Sequence, residues 1–137
     1  MVSLPLPPLI TLLTRGNDRV VSLILCHDRP KHRAKQIEKF VEIAIKLRGL
    51  NNYSALRAFV AGINVSTYPT DPTMDIFKTR CPDLYKTFQS WDILFQVNRS
   101  HRAYRMALRS SKGACIPALC DTLNHTCLLR SHRFYLP

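Results

Sequence analysis

The chain has 137 residues, nearly half of them hydrophobic, and a formal net charge of +11 at neutral pH. That length and apolar content suit one folded domain with a real core and exclude a disordered chain. Four glycines leave no Gly-rich phosphate loop, and no apolar run is long enough to span a bilayer.

Residues 1–8 are Pro-rich and read as a lead-in. A helix is expected from Leu9 to about Cys26, with Leu12, Leu13, Val20, Leu23 and Ile24 as apolar contacts and Gly16 as a weak point or kink. His27–Pro30 is a turn, where Asp28 caps the next helix and Pro30 occupies its first turn. Ile37, Phe40, Val41, Ala44 and Leu47 recur at helical spacing, while Arg33, Lys35, Glu38, Lys39, Glu42 and Lys46 fall largely outside that stripe. Gly49 suits the left-handed position past the helix end, with Leu50 folding back on the last turn. Asn51 and Asn52 offer oxygens to cap the following helix, whose stripe is Leu56, Phe59, Val60 and Ile63. The unit is an αα-hairpin in which neither helix hides its apolar face alone.

The stretch STYPTDPT after the hairpin reads as a loop. Arg80-Cys81-Pro82-Asp83 has the chemistry of a helix start, and Leu84, Phe88, Trp91 and Phe95 then make a core stripe in which Trp91 serves plain packing. Ser100 caps a further helix with Ala103, Tyr104, Ala107 and Leu108 inward and Arg102, Arg105 and Arg109 on another face, and Gly113 ends it. A last helix is expected from Pro117 to about Leu129, and 130–137 are an irregular tail. The fold expected is all-α, an orthogonal helical bundle of five to six helices over residues 9–129.

No nucleophile elbow, HExxH or telling carboxylate–histidine spacing supports ordinary catalysis, so no catalytic residue is assigned. Cys26, Cys81, Cys115, Cys120 and Cys127 are odd in number and contain no CxxC pair, which suits reduced, mostly buried thiols. Cys115, Cys120, His125, Cys127 and His132 fit no common zinc spacing, so no metal is expected. The N-terminal MVSLPLPPLITLLTRG lacks a basic region and is interrupted by Pro5, Pro7 and Pro8, a poor signal peptide. The cytoplasm is the expected compartment, and the sequons at Asn64, Asn98 and Asn124 are then coincidental. The excess of Lys and Arg implies attraction to something acidic: a partner protein, an anionic membrane surface or nucleic acid. An anionic surface would place the chain peripherally at the inner membrane.

The pattern I-x-K-F-V-x-I-A-x-x-L-R-x-L-N-N-Y-x-A-L-x-A-x-V-A-G-I, within Lys31–Val65, resembles the heart of the catalytic domain of Ras guanine-nucleotide exchange factors. Further likenesses follow in order: Arg15 and Asn17 resemble the family's Arg-x-Asn helix, Tyr104 and Arg105 its Tyr-Arg pair, and Cys115-Ile116-Pro117 its Cys-hydrophobic-Pro turn. The resemblance runs from about residue 9 to about residue 125. It implies an enzyme regulator without a cofactor, which makes a Ras-family small GTPase release GDP. In the family a helical bowl grips the GTPase and a helical hairpin pries the nucleotide site open.

The resemblance implies that Asn64 faces the GTPase, a helix C-cap being the alternative, and that Arg15 and Asn17 lie beside the bowl. It implies that Gly49, Leu50, Asn51, Asn52, Tyr104 and Pro117 shape the scaffold and that Arg105 joins an internal ion pair. The sequence also departs from the family. Ser100 stands at an Asn, STYPTDPT replaces an Arg-Leu pair with more regular helix, and Cys127–Ser131 stand where the lever hairpin carries an acidic residue. A partial domain, cut before that hairpin, with weak or no exchange of its own and marginal or oligomeric when expressed alone, is the expectation. The alternatives are a non-catalytic GTPase-binding scaffold and, less favoured, a basic helical nucleic-acid-binding module using Arg102, Arg105 and Arg109.

Overall fold

The computed structural model describes residues 8–96 and 98–118, with the side chains of 8–15 and Ser100 outside the description. Among the described residues six helices follow in order: α1 (Pro8–Leu25), α2 (Pro30–Gly49), α3 (Tyr53–Ser66), α4 (Thr73–Arg80), α5 (Pro82–Leu94) and α6 (Asn98–Ser110). The described residues contain no strand, only an isolated parallel bridge between Asn52 and Ile116. The fold is all-α. The lead-in before Pro8, the expected last helix beyond Ala118 and the tail lie outside the described residues, together with Cys120, Asn124, His125, Cys127 and His132. Pro117 and Ala118 themselves are non-helical.

Two sequence stripes meet where they were expected. Ile37, Phe40, Val41 and Ala44 of α2 are buried against Leu56, Val60 and Ile63 of α3, with Val20 and Ile24 of α1 completing the layer. Burying each of the Val, Leu, Ile and Phe side chains among these is worth about 1.5–3 kcal/mol. Phe40 and Phe59 meet edge to face, their centroids 5.3 Å apart. Trp91 and Phe88 of α5 are buried in the same core, as the stripe predicted. Leu23 is exposed, not an apolar contact, because the inner side of α1 is carried by Val20 and Ile24.

Gly16 does not break α1. It lies against α3, where a Cβ would sit 3.4 Å from the Ala58 Cβ. Four residues on, a Cβ on Gly62 would fall 2.6 Å from the Val20 side chain, so the two backbones cross too closely for even a methyl group. This pair of small positions, one on each helix, sets how α1 lies on α3.

The start of α2 differs from the expected one. Its N-cap is Arg29, with no side-chain capping bond, and Pro30 stands at the first helical position. Asp28 does not cap. Its carbonyl and that of His27 instead accept from the Arg33 guanidinium at 3.0 and 2.9 Å, which holds the turn from within the helix. The same guanidinium reaches Asp71 Oδ1 at 3.2 Å and Thr73 Oγ1 at 3.1 Å, joining α2 to the loop after α3.

That loop ends in a helix the sequence reading did not foresee. Just before α4, Asp71 accepts from the Thr73 amide at 3.2 Å and from its hydroxyl at 2.9 Å, and within the helix the fully buried Phe77 anchors it on the core. Pro82 then opens α5 at its first position, as expected. In α6 Tyr104 is buried and Ala107 and Leu108 are half-buried, but Ala103 faces solvent. This helix begins at Asn98, so Ser100 lies inside it instead of capping it, and Arg99 and His101 take positive φ in an irregular first turn. It ends at Ser110, short of Gly113, whose φ of 84° belongs to the following turn.

Candidate functional site

The asparagine corner closes α2 with a different residue from the one expected. Gly49 is the last helical residue, and the left-handed position belongs to Asn51, with φ 56°. The Asn52 amide donates to the Leu47 carbonyl at 2.9 Å and the Asn51 amide to that of Arg48 at 3.1 Å. This is a Schellman closure with asparagine in the place glycine usually takes, and asparagine tolerates it because its short side chain bonds locally. Leu50 does not fold back: it is exposed. Asn52 caps α3 as expected, accepting from the Ala55 amide at 3.1 Å, whereas Asn51 does not cap. The Asn51 side chain accepts from Arg48 and donates to the Lys112 carbonyl, both at 3.4 Å.

The Cys115–Pro117 turn docks on this corner. The Tyr53 amide donates to the Ile116 carbonyl at 2.9 Å, and the Ile116 amide donates to the Asn51 carbonyl at 3.0 Å. The first N–H groups of α3, which have no partner inside the helix, are thereby satisfied. Tyr53 and Tyr104 are both buried and meet edge to face at 5.5 Å. The Tyr53 hydroxyl shares a 2.8 Å hydrogen bond with Ser111, and the Ala118 amide donates to the Tyr104 hydroxyl at 2.6 Å. Three short motifs far apart in the chain thus form one buried junction. Arg105 lies outside it: its guanidinium donates to the Arg99 carbonyl at 3.1 Å, a bond to the backbone of its own helix.

The opposite end of α3 is open. Asn64 is exposed, and its amide donates to Asp92 Oδ1 on α5 at 2.8 Å. It is not the helix C-cap, which is Thr67. The last carbonyls of α3 accept instead from Ser66 Oγ, bonded to Gly62 at 2.8 Å, and from Thr67 Oγ1, bonded to Ile63 at 2.9 Å. Val65 and Tyr68 beside Asn64, and Ile93 beside Asp92, expose large apolar side chains, none of which the sequence reading had singled out. No spacing rule marks them, because the Asn64–Asp92 bond that brings them together spans two helices. Asn17 is half-buried on α1, its carbonyl oxygen 3.3 Å from where a Gly62 Cβ would lie, so it belongs to the same α1–α3 contact. Arg15 lies on α1 two residues earlier, its side chain outside the description. Between α1 and α3 a groove of about 530 Å³ is lined by Gly16, Arg19, Phe40, Ala58, Phe59 and Ile116, among others.

Burial, helped by the Glu38 carboxylate, pushes the Cys81 thiol up, so it is no activated nucleophile. No helix among the described residues is long and apolar enough to cross a membrane. An all-α bundle closed by an Asn-Asn corner, with a Tyr-Arg helix and a Cys-Ile-Pro turn packed on that corner, defines the class of the Ras exchange-factor catalytic domain. The chain belongs to that family: the RasGEF domain model matches residues 7–132.

Its relatives agree. It is 32% identical over 121 residues to Ras guanine nucleotide exchange factor K of Dictyostelium discoideum, covering 85% of this chain and 8% of the relative. It is 32% identical over 114 residues to exchange factor H of the same organism, covering 81% and 18%, and 29% identical over 115 residues to exchange factor F, covering 81% and 10%. The chain therefore spans less than a fifth of each of these relatives. No solved structure matches it.

Proposed function

We propose that this domain binds a Ras-family small GTPase and regulates its nucleotide state as a guanine-nucleotide exchange factor module. The gripping surface is the face made by α1 and the C-terminal half of α3, with Asn64 as the central contact and Arg15 and Asn17 beside it. The reading rests above all on Asn64: a solvent-facing amide fixed by Asp92 and flanked by exposed Val65 and Tyr68. A preset polar group among apolar neighbours suits a protein partner. The relatives' names support the class of partner.

Exchange by such a module is a matter of linkage. The factor favours GDP release only by as much as it binds the nucleotide-free GTPase more tightly than the loaded form. No cofactor of its own is needed. Cys127–Ser131 stand where the resemblance puts the lever's acidic residue, so binding by this chain exceeds its acceleration of release. The same residues favour a second reading, a GTPase-binding scaffold. The positive charge adds a peripheral position on an anionic inner-membrane surface.

The test is capture of Ras-, Rap- and Ral-type GTPases in nucleotide-free and GDP-loaded form, alongside release of mant-GDP. Preferential capture of the nucleotide-free form with slow release is expected. Equal capture of both forms would overturn the exchange-factor reading, because such a binder shifts nothing. Release as fast as that produced by a complete exchange-factor domain would overturn the weak-lever element.

A further inference from the structure

We propose that the junction of the asparagine corner with the Cys115–Pro117 turn is a docking surface for an anionic lipid bilayer. Leu50 and Ile116 enter the headgroup layer, and basic side chains around them meet the lipid charge. The inference deepens the membrane element of the functional reading and does not depend on GTPase binding.

Two observations carry it. The first is apolar. Leu50 is 72% and Ile116 55% exposed, on turns whose backbones are bonded together through Asn51. Both are aliphatic side chains on rigid, hydrogen-bonded tips, so little ordering entropy opposes their insertion. The second is the distribution of charge. No acidic residue occurs between Glu42 and Asp71, or between Asp92 and Asp121. These are the two stretches the junction ties together. They supply Lys46, Arg48 and Lys112 at the corner and Arg102 on α6, where Met106 is also exposed. The acidic residues of the described chain lie on α1, the turn after it, α2, the loop before α4, α4 and α5.

A polybasic surface alone suits any polyanion. The apolar tips decide between them: aliphatic side chains projecting from a basic surface gain nothing against a phosphate backbone but gain burial in the lipid interface.

The experiment is co-sedimentation of the full 137-residue chain with vesicles of phosphatidylcholine alone and with about one-fifth phosphatidylserine. Binding to the anionic vesicles only, lost as salt rises to about 0.5 M, is expected. Lys112→Ala weakens it about fivefold. The double variant Leu50→Asn, Ile116→Asn weakens it about tenfold, with an unchanged circular-dichroism melt. Failure to prefer anionic vesicles overturns the proposal, and so does a double variant that melts as the wild type does and binds vesicles equally well. Tighter binding to DNA or RNA oligonucleotides, unaffected by the double variant, also overturns it in favour of nucleic acid. Capture of nucleotide-free GTPase without vesicles separates the two readings. A chain that captures GTPase but ignores vesicles loses this inference and the peripheral membrane position with it, and one that binds vesicles but captures no GTPase loses only the exchange-factor reading.

Discussion

The two ends of α3 follow opposite plans. At its start, Asn52 and the Ile116 carbonyl satisfy the first amides and the Tyr53–Tyr104 pair is buried, while the Leu50 and Ile116 side chains stay exposed on the turns outside. At its finish, the Ser66 and Thr67 hydroxyls satisfy the carbonyls locally, and Asn64, Val65 and Tyr68 face outward. The end richest in family motif letters is scaffold. The end with few of them carries the candidate contact. Motif strength in this chain reports how tightly a segment is built, and the proposed GTPase contact is to be sought on the face that the building leaves open.

The contrast makes its strongest prediction at the closed end. Tyr104→Ala removes a buried ring that packs on Tyr53 and accepts from the Ala118 amide. A loss of about 3–5 kcal/mol in unfolding free energy is expected, the range for deleting a large aromatic from a core. Urea denaturation followed by circular dichroism measures it. A loss below about 1 kcal/mol would mean that the junction is loosely held and the comparison between the two ends is false.

Asn51 gives a smaller and more specific effect. Its φ of 56° costs an ordinary L-residue about 1–2 kcal/mol, so Asn51→Ala should destabilise by about that amount. Asn51→Gly should be close to neutral, since glycine relieves the strain while the variant loses only two long side-chain hydrogen bonds. Equal losses for both variants would assign the effect to those bonds and not to the backbone.

This corner also shows what could be read in advance. Helical spacing revealed both hairpin stripes and the α5 core stripe, because each buries one face and the period survives in the sequence. Gly49 misled because the rule places glycine in the left-handed position, whereas asparagine two residues on takes it. The helix α4 was hidden because its apolar side chains are too few for a period, and it is held by Arg33 from 38 residues away in sequence. For the same reason Asp92 and its bond to Asn64 left no local signal.

The Arg33–Asp71–Thr73 cluster belongs to neither end and tests whether the α2–α4 side has its own weak point. Burial pushes the Asp71 carboxyl up, but hydrogen bonds from the Thr73 hydroxyl and amide, together with Arg33, outweigh it and hold the carboxyl below the ordinary value. A carboxyl lowered on folding binds its proton more weakly in the native state than in the unfolded chain. It stabilises the fold above the unfolded value of about 3.9, and that contribution disappears as pH falls through the lowered native one. The wild type should therefore lose stability below about pH 4 more steeply than Asp71→Asn. Melts across that range check it, and parallel slopes would refute the role assigned to Asp71.

The smallest effect on stability is expected at the open end, and its smallness is what makes it informative. Asn64→Ala removes one exposed hydrogen bond to Asp92, so its unfolding free energy should stay within about 0.5 kcal/mol of the wild type. Capture of nucleotide-free GTPase should nevertheless fall about tenfold or more, the loss typical of a contact at the centre of an interface. Asp92→Asn supplies the control, since an asparagine there still accepts from the Asn64 amide and should retain most of the binding. If Asn64→Ala leaves capture unchanged, the open end is merely solvent-facing and the grip lies elsewhere. If it costs as much stability as Asn51→Ala, Asn64 is one more building residue, and the division of α3 into a closed and an open end fails with it.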